Sequence, residues 1–265
     1  MAKRGVNPAF IAVVSLLVVL RLEALTRTRT SAALSSENFR PWGTQVSGFK
    51  DNNAKYHRSP CPALNVLANH GYIPRDGKEV SPQTLQQALV KVYNLDISLA
   101  EFLVSTLPAQ FSLADLGVHN FVEHDASLVH DDSWNGGDPS SVNITLATNL
   151  LSRSNKNQHL TKKALAAYRR EREAFSAANT PDFEETFTAQ RALTSYSEAA
   201  VMLLVMGDYS TTSISVDHAR TFLVEERIPD DYKQPPTPVT LIQTLWLTLQ
   251  LKVIAVLSQV FKFDP

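Results

Sequence analysis

Residues 60–77 read Pro60-Cys61-Pro62-Ala63-Leu64-Asn65-Val66-Leu67-Ala68-Asn69-His70-Gly71-Tyr72-Ile73-Pro74-Arg75-Asp76-Gly77. Proline suits the first helical position because the N–H it lacks has no partner there, so a short helix is predicted over Pro62 to Asn69, with Gly71 at a left-handed cap. Cys61 then lies at the helix amino terminus, where unpaired backbone N–H groups and the positive end of the dipole favour a thiolate. Pro60 and Pro62 fix the backbone around it and donate nothing, which leaves the amides of Ala63, Leu64 and Asn65 to face the sulfur. A sulfur so placed can be a nucleophile or a metal ligand; the plainer alternative is a buried, inert thiol.

Working outward, Cys61 is the one cysteine in 265 residues, which excludes an intramolecular disulfide framework and every multi-cysteine metal site. Lys and Arg number 25 against 26 Asp and Glu, a formal charge of -1, so no global field recruits nucleic acid. Nine glycines argue against turn-rich β architectures and glycine-rich nucleotide loops, and 44% hydrophobic composition supports a real core.

Lys3 and Arg4 precede the apolar run Ala9 to Leu20, the order of a secretory signal and too short for a comfortable membrane span. Residues 1–33 are read as a signal peptide, with the mature chain starting between Leu25 and Leu34; an uncleaved anchor through residues 9–20 is the alternative. Either way the body faces outward. Asn143-Ile144-Thr145 is a short glycosylation pattern that fits secretion.

Residues 34–265 read as a single mainly α domain with few or no strands. Ser36 to Ser59 is polar and aperiodic, an extended segment. Helices are predicted from Ser81 to Tyr93, from Ile97 to Leu107 with Leu99, Phe102, Leu103 and Leu107 on one face, and from Leu160 to Ala178. Further helices are predicted over Phe183 to Met206, capped by Thr180 or Asp182, and over Ser215 to Glu226. Ser133 to Ser141 is loop, and Gln234 to Pro238 a rigid spacer. Residues 240–261 read as a docked terminal helix rather than a membrane span, because Gln243, Gln250, Lys252 and Gln259 interrupt the apolar run.

The stretch from Pro60 to Gly77 resembles the proximal motif of the haem-thiolate peroxidases, the chloroperoxidase and unspecific peroxygenase family. Glu123-His124-Asp125-Ala126-Ser127-Leu128 is similar to that family's distal Glu-His-Asp block, in the form used by chloroperoxidase and the short peroxygenases. Arg191 to Glu198 lies where the family carries a distal acid-base glutamate on a helix. The resemblance covers residues 39–208. It implies a helical domain of the chloroperoxidase type enclosing haem b, with Cys61 as axial thiolate and Pro60, Pro62, Ala63, Leu64 and Asn65 about the cofactor. It implies Glu198 as general acid-base, oriented by His124, which Asp125 holds in turn. It also implies a Mg²⁺ or Mn²⁺ ion near a haem propionate, held by Glu123, Ser127 and the backbone carbonyl of His124; one helical turn would bring Glu123 and Ser127 to the same face.

The implied activity is peroxide-driven oxygenation, halogenation or oxidation of small organic or halide substrates, with no nucleic acid and no stable protein partner. Glu184 and Glu185, predicted on the same helix, rival Glu198. His130 stands where many relatives have arginine, while Asp132 matches. His119, Glu123, His124 and His130 also allow a zinc cluster, although the spacing does not fit the inverzincin pattern. Phe102, Phe111, Phe121, Phe187 and Leu193 are candidates to line an apolar channel, though plain core would use the same residues. A secreted interaction protein that kept the scaffold and lost turnover is the reading from another class.

Overall fold

Helices begin where the sequence supplies caps. In the computed structural model, which describes residues 37–260, α1 (Pro62–Asn69) starts at Cys61 with proline at its first turn. Ser81 caps α2 (Pro82–Tyr93) by accepting from the Thr84 amide, and Asp96 caps α3 (Ile97–Val104) through the Ser98 amide. After a loop-rich stretch come α4 (Ile144–Leu151), α5 (Lys162–Asn179), the one-turn α6 (Phe183–Thr186), α7 (Ala189–Met206), α8 (Val216–Leu223) and α9 (Leu241–Val260). Strands are vestigial: β1 (Val46–Ser47) pairs in parallel with β2 (Tyr56–His57), and β3 (His159–Leu160) pairs antiparallel with β4 (Ile214–Ser215). The chain is mainly α and strand-poor, as its sequence reads. The described residues all fall in one compact unit spanning 35–265, and the predicted leader lies outside them.

Four boundaries differ from expectation. The segment predicted as one helix from Phe183 to Met206 is broken at Phe187, whose ring stacks on Phe183 at 4.6 Å, and at Thr188, which is extended. Thr188, not Asp182 or Thr180, caps the long helix by accepting from the Arg191 amide. α3 stops at Val104 because the Ser105 hydroxyl and amide both turn back to the Phe102 carbonyl; its buried side is Leu99, Ala100 and Val104, while Phe102 and Leu103 face out. α8 ends at Leu223, so Glu226, with φ +51°, lies beyond it. α4 was not foreseen. Asn143 caps it, its carbonyl oxygen accepting from the Leu146 amide and its side-chain nitrogen donating to Asp131 at 2.7 Å.

α9 packs between α5 and α7. Gln250 accepts from Lys162 and Ser258 meets Arg170, so α9 runs parallel to α5; Thr248 donates to Ser197 and Gln243 reaches Tyr209, so it runs antiparallel to α7. The loop from Glu123 to Asp132 has no repetitive structure and is tied to α5 by one carboxylate. Asp132, 4% exposed, accepts from the Ala126 amide, from Arg172 and from the Ser176 hydroxyl. Ala126 is held at φ +61°, a conformation that costs a non-glycine residue energy, so this anchor restrains a strained turn. Replacing Asp132 with alanine strands the buried Arg172 charge; the expected loss is about 3–5 kcal/mol, read from urea unfolding midpoints.

Candidate active site

The Cys61 turn is clamped from behind. Asn65 accepts from the Ser59 amide at 2.9 Å and donates to the Ser59 carbonyl at 2.8 Å and to Glu226 at 2.6 Å. Asn69 accepts two bonds from the buried Arg58 guanidinium and donates to the Glu226 carbonyl. Tyr93 donates to the Ala63 carbonyl at 2.7 Å, fixing the first turn of α1. Residues 64–70 are buried, whereas Pro60, Cys61, Pro62 and Ala63 keep part of their surface open. Contrary to the expectation from sequence, the amide of Asn65 does not serve the sulfur. It donates to the Cys61 carbonyl, and the Asn65 side chain serves the turn instead.

Desolvation raises the Cys61 thiol to about 11, the amides of Leu64 and Ala63 oppose that rise, and the charge of Glu198 adds to it. The sulfur is therefore a thiol at neutral pH unless a cation meets it. That disfavours a free cysteine nucleophile.

Glu198, on α7, is the facing carboxylate. Its side chain is 52% exposed, yet burial among surrounding protein is the largest influence on its ionisation. Cys61 combines partial exposure with a large desolvation cost in the same way, and the two groups feel each other's charge. A sulfur at a helix start and a carboxylate paired with a histidine are a donor set that would fit haem, with Cys61 as the residue that would hold the iron.

His124 meets Glu198 at 3.3 Å through Nε2, and its Nδ1 donates to the Asp125 backbone carbonyl at 2.7 Å. Asp125 thus holds the imidazole by main chain and not by its carboxylate. That carboxylate accepts from the Ser133 amide and hydroxyl and lies 3.9 Å from His119. Desolvation pushes His124 down, but the Glu198 charge and hydrogen bond outweigh it and its pKa rises. Desolvation pushes Glu198 up, but His124, Arg169 and His130 outweigh it and the carboxyl titrates below 4.5. Each member of the pair favours the charged form of the other.

Glu184 and Glu185 belong to α6, beyond the break, which separates these rivals from the helix of Glu198. Phe187 packs edge-on against His124 at 5.9 Å and so reaches the site; Phe111 is core and Phe102 points outward, while Phe121 and Leu193 are part-exposed.

Glu123 lies in a loop, not a helical turn, so helical spacing does not place it beside Ser127. Its carboxylate accepts from His119 Nδ1 at 2.7 Å, and the Ser127 hydroxyl contacts His130 and caps the Val129 and His130 amides. Donor atoms of His119, Glu123 and Asp125 lie within 4.8 Å of one another. The alternative zinc cluster does not assemble, since His124 turns to Glu198 and His130 to Ser127. Burial drives His130 down to about 4, so at neutral pH it carries no charge at the position where relatives have arginine.

Sequence reasoning missed Arg169. It is 1% exposed, lies over the Tyr196 ring at 5.9 Å, and its Nε and Nη2 meet no acceptor among the described residues. The helical phase held the signal: Leu165, Arg169, Arg172 and Ser176, spaced four, three and four apart, put two arginines on the buried face of α5.

The profile described as peroxidase, family 2, matches residues 47–237. The chain belongs to this family. It is 29% identical over 240 residues to an aromatic peroxygenase of Cyclocybe aegerita, which covers 79% of this chain and 61% of that relative. It is 29% identical over 206 residues to an aromatic peroxygenase of Coprinellus radians, covering 66% of this chain and 77% of the relative. A segment of 44 residues is 54% identical to chloroperoxidase of Leptoxyphium fumago, covering 17% of this chain and 12% of the relative.

The shifted pKa values fix a sign for stability. The raised His124 contributes stability present below 6.5 and lost as pH rises through its folded value; the lowered Glu198 contributes stability present above 4.5 and lost as pH falls through its folded value. The pair therefore stabilises fully between 4.5 and 6.5. In His124→Leu the Glu198 carboxyl is expected to titrate at higher pH than in the parent, measured by carboxyl infrared bands in isotope-labelled protein.

Proposed function

We propose that this protein is a peroxide-dependent haem-thiolate oxidoreductase acting on small organic substrates. The observation that carries the reading is the contact of His124 with the Glu198 carboxylate at 3.3 Å, in a chain of this family whose one cysteine, Cys61, starts α1. The names of the relatives, aromatic peroxygenase and chloroperoxidase, support the same reaction class.

Haem b, held by Cys61 with Pro60, Pro62, Ala63 and Leu64 about it, would supply the iron chemistry that activates hydrogen peroxide and oxidises the substrate. The chain's own residues do the proton work. Glu198, kept ionised by His124, accepts a proton from hydrogen peroxide at a carboxylate oxygen and can return it to the departing hydroxyl, so one group acts as base and then acid. His124 is aimed by its bond to the Asp125 carbonyl, which fixes which nitrogen faces Glu198. The rigid α1 turn keeps the Cys61 sulfur in place while the opposite wall, Phe187 included, supplies apolar surface for an organic substrate.

A Mg²⁺ or Mn²⁺ ion at Glu123, with Ser127 and the His124 carbonyl, belongs to this reading through the family resemblance; the His119 contact and the nearby Asp125 carboxylate suit a cation on Glu123 equally well. Secretion rests on the order of Lys3, Arg4 and the apolar run from Ala9, so residues 1–33 are proposed as a leader and 34–265 as the working domain.

Purified protein supplied with haem is expected to show a thiolate-type Soret band that Cys61→Ala loses while its far-ultraviolet dichroism persists. Glu198→Gln is expected to keep the band and lose roughly 10²- to 10⁴-fold in peroxide-driven turnover of an aromatic substrate. A band retained in Cys61→Ala overturns the ligand assignment, and unchanged turnover in Glu198→Gln overturns the acid-base assignment alone.

A further inference from the structure

α9 is apolar on both sides. Its inner side, Thr244, Leu247, Thr248, Leu251 and Ala255, is buried in the groove between α5 and α7. Its outer side carries Ile242, Leu245, Trp246, Leu249, Val253, Val256 and Leu257, all exposed, with Ile242 80% and Trp246 66% open. The steps of three and four residues make one continuous stripe along the helix. A surface helix normally turns charge outward, and a monomer's largest apolar patch, roughly 300–600 Å², is commonly functional. Because α9 is packed along α5, which carries Lys162, Lys163, Arg170, Glu171 and Glu173, crossing a bilayer would take those charges with it; lying along one would not.

The chemistry around the stripe says what covers it. α9 contains no acidic residue, and cations border it: Lys162 donates to Gln250, Arg170 meets Ser258, and Lys252 lies over the Tyr196 ring. Beside Ile254 of the same helix opens a cavity of about 630 Å³, lined by His159, Thr161, Lys162, Lys163 and Asp208 among others. Asp208 accepts there from the Ser210 and Thr211 amides and the Ser210 hydroxyl, which favour its ionised form, so it offsets one of the two lysines and leaves the pocket with a net positive charge. A second hollow of about 230 Å³ lies on the stripe itself between Lys252, Val253, Val256 and Leu257. An apolar stripe beside a cationic pocket matches acyl chains beside phosphate headgroups. Another copy of the chain fits less well. Antiparallel pairing of two α9 helices across a two-fold axis sets each cationic α5 edge against its own equivalent, and α9 offers no carboxylate to offset it.

We propose that the outer side of α9 is a lipid-docking surface, lying in the headgroup and acyl boundary of an anionic phospholipid bilayer, with phosphates received at His159, Lys162 and Lys163. This does not depend on the haem assignment. It places the protein where apolar compounds dissolve.

Residues 9–20 could bind lipid by themselves, so the test reads Trp246 directly. In full-length Trp42→Phe/Trp134→Phe protein, Trp246 is the one remaining indole. Its emission is expected to shift to the blue, and to be quenched by brominated acyl chains, on vesicles of phosphatidylcholine with about one third phosphatidylserine, and far less on phosphatidylcholine alone or at high salt. Lys162→Gln/Lys163→Gln should weaken the vesicle affinity read by that emission by roughly fivefold per lysine. Val253→Gln/Val256→Gln should abolish the quenching with the dichroism unchanged, since both side chains face out. Emission indifferent to anionic vesicles, or equal on neutral ones, overturns the proposal. So does shielding of Trp246 by self-association in sedimentation equilibrium without lipid.

Discussion

The structure depends on how one sulfur is denied its charge. Cys61 stands at the start of an eight-residue helix whose amides favour an anion, yet the surrounding protein desolvates it strongly enough to win. The thiol is left poised for a partner that supplies positive charge at short range. Around it nothing is loose: Asn65 closes the turn on both sides of Ser59, Glu226 reaches back from beyond α8 to hold Asn65, and Tyr93 pins the helix from α2. Residues distant in sequence are spent on the position of a single atom, which is what a ligand to a rigid cofactor requires.

The opposite wall follows a complementary rule. Glu198 would be costly as a lone carboxylate on an apolar helix, and His124 and Arg169, from two other segments, hold its carboxyl below the usual range. His124 carries most of that effect because it also hydrogen-bonds, and the strained turn at Ala126 fixes the loop that delivers it. Arg191 joins the same loop to the start of α7 by donating to the Asn120 carbonyl and to Thr186. Geometry at the carboxylate is thereby coupled to the anchor at Asp132.

Much of this was legible in the sequence, and the reasons differ by element. Cys61 and its helix were readable because proline at the first helical position and glycine at the left-handed cap are local rules, independent of tertiary context. α2 was readable for the same reason. The single long helix expected from Phe183 was wrong because stacking of Phe187 on Phe183 and packing on His124 override a sequence that looks continuous. α4 was hidden because its cap, Asn143, resembles a glycosylation pattern. The pairing of His124 with Glu198 was legible only through resemblance, since nothing in residues 123–125 reveals that the Asp125 carbonyl, rather than its carboxylate, meets the imidazole. Arg169 was legible in principle, as a charge on the apolar phase of α5.

The placement of α9 bears on biosynthesis. α5 and α7 are made well before the helix that fills the groove between them, so on the ribosome the flank of α7 that carries Ser197 stays uncovered until residues past Leu241 emerge. Closing that groove is therefore a late event set by chain connectivity, and truncation before Leu241 would leave both helices with a bare apolar flank.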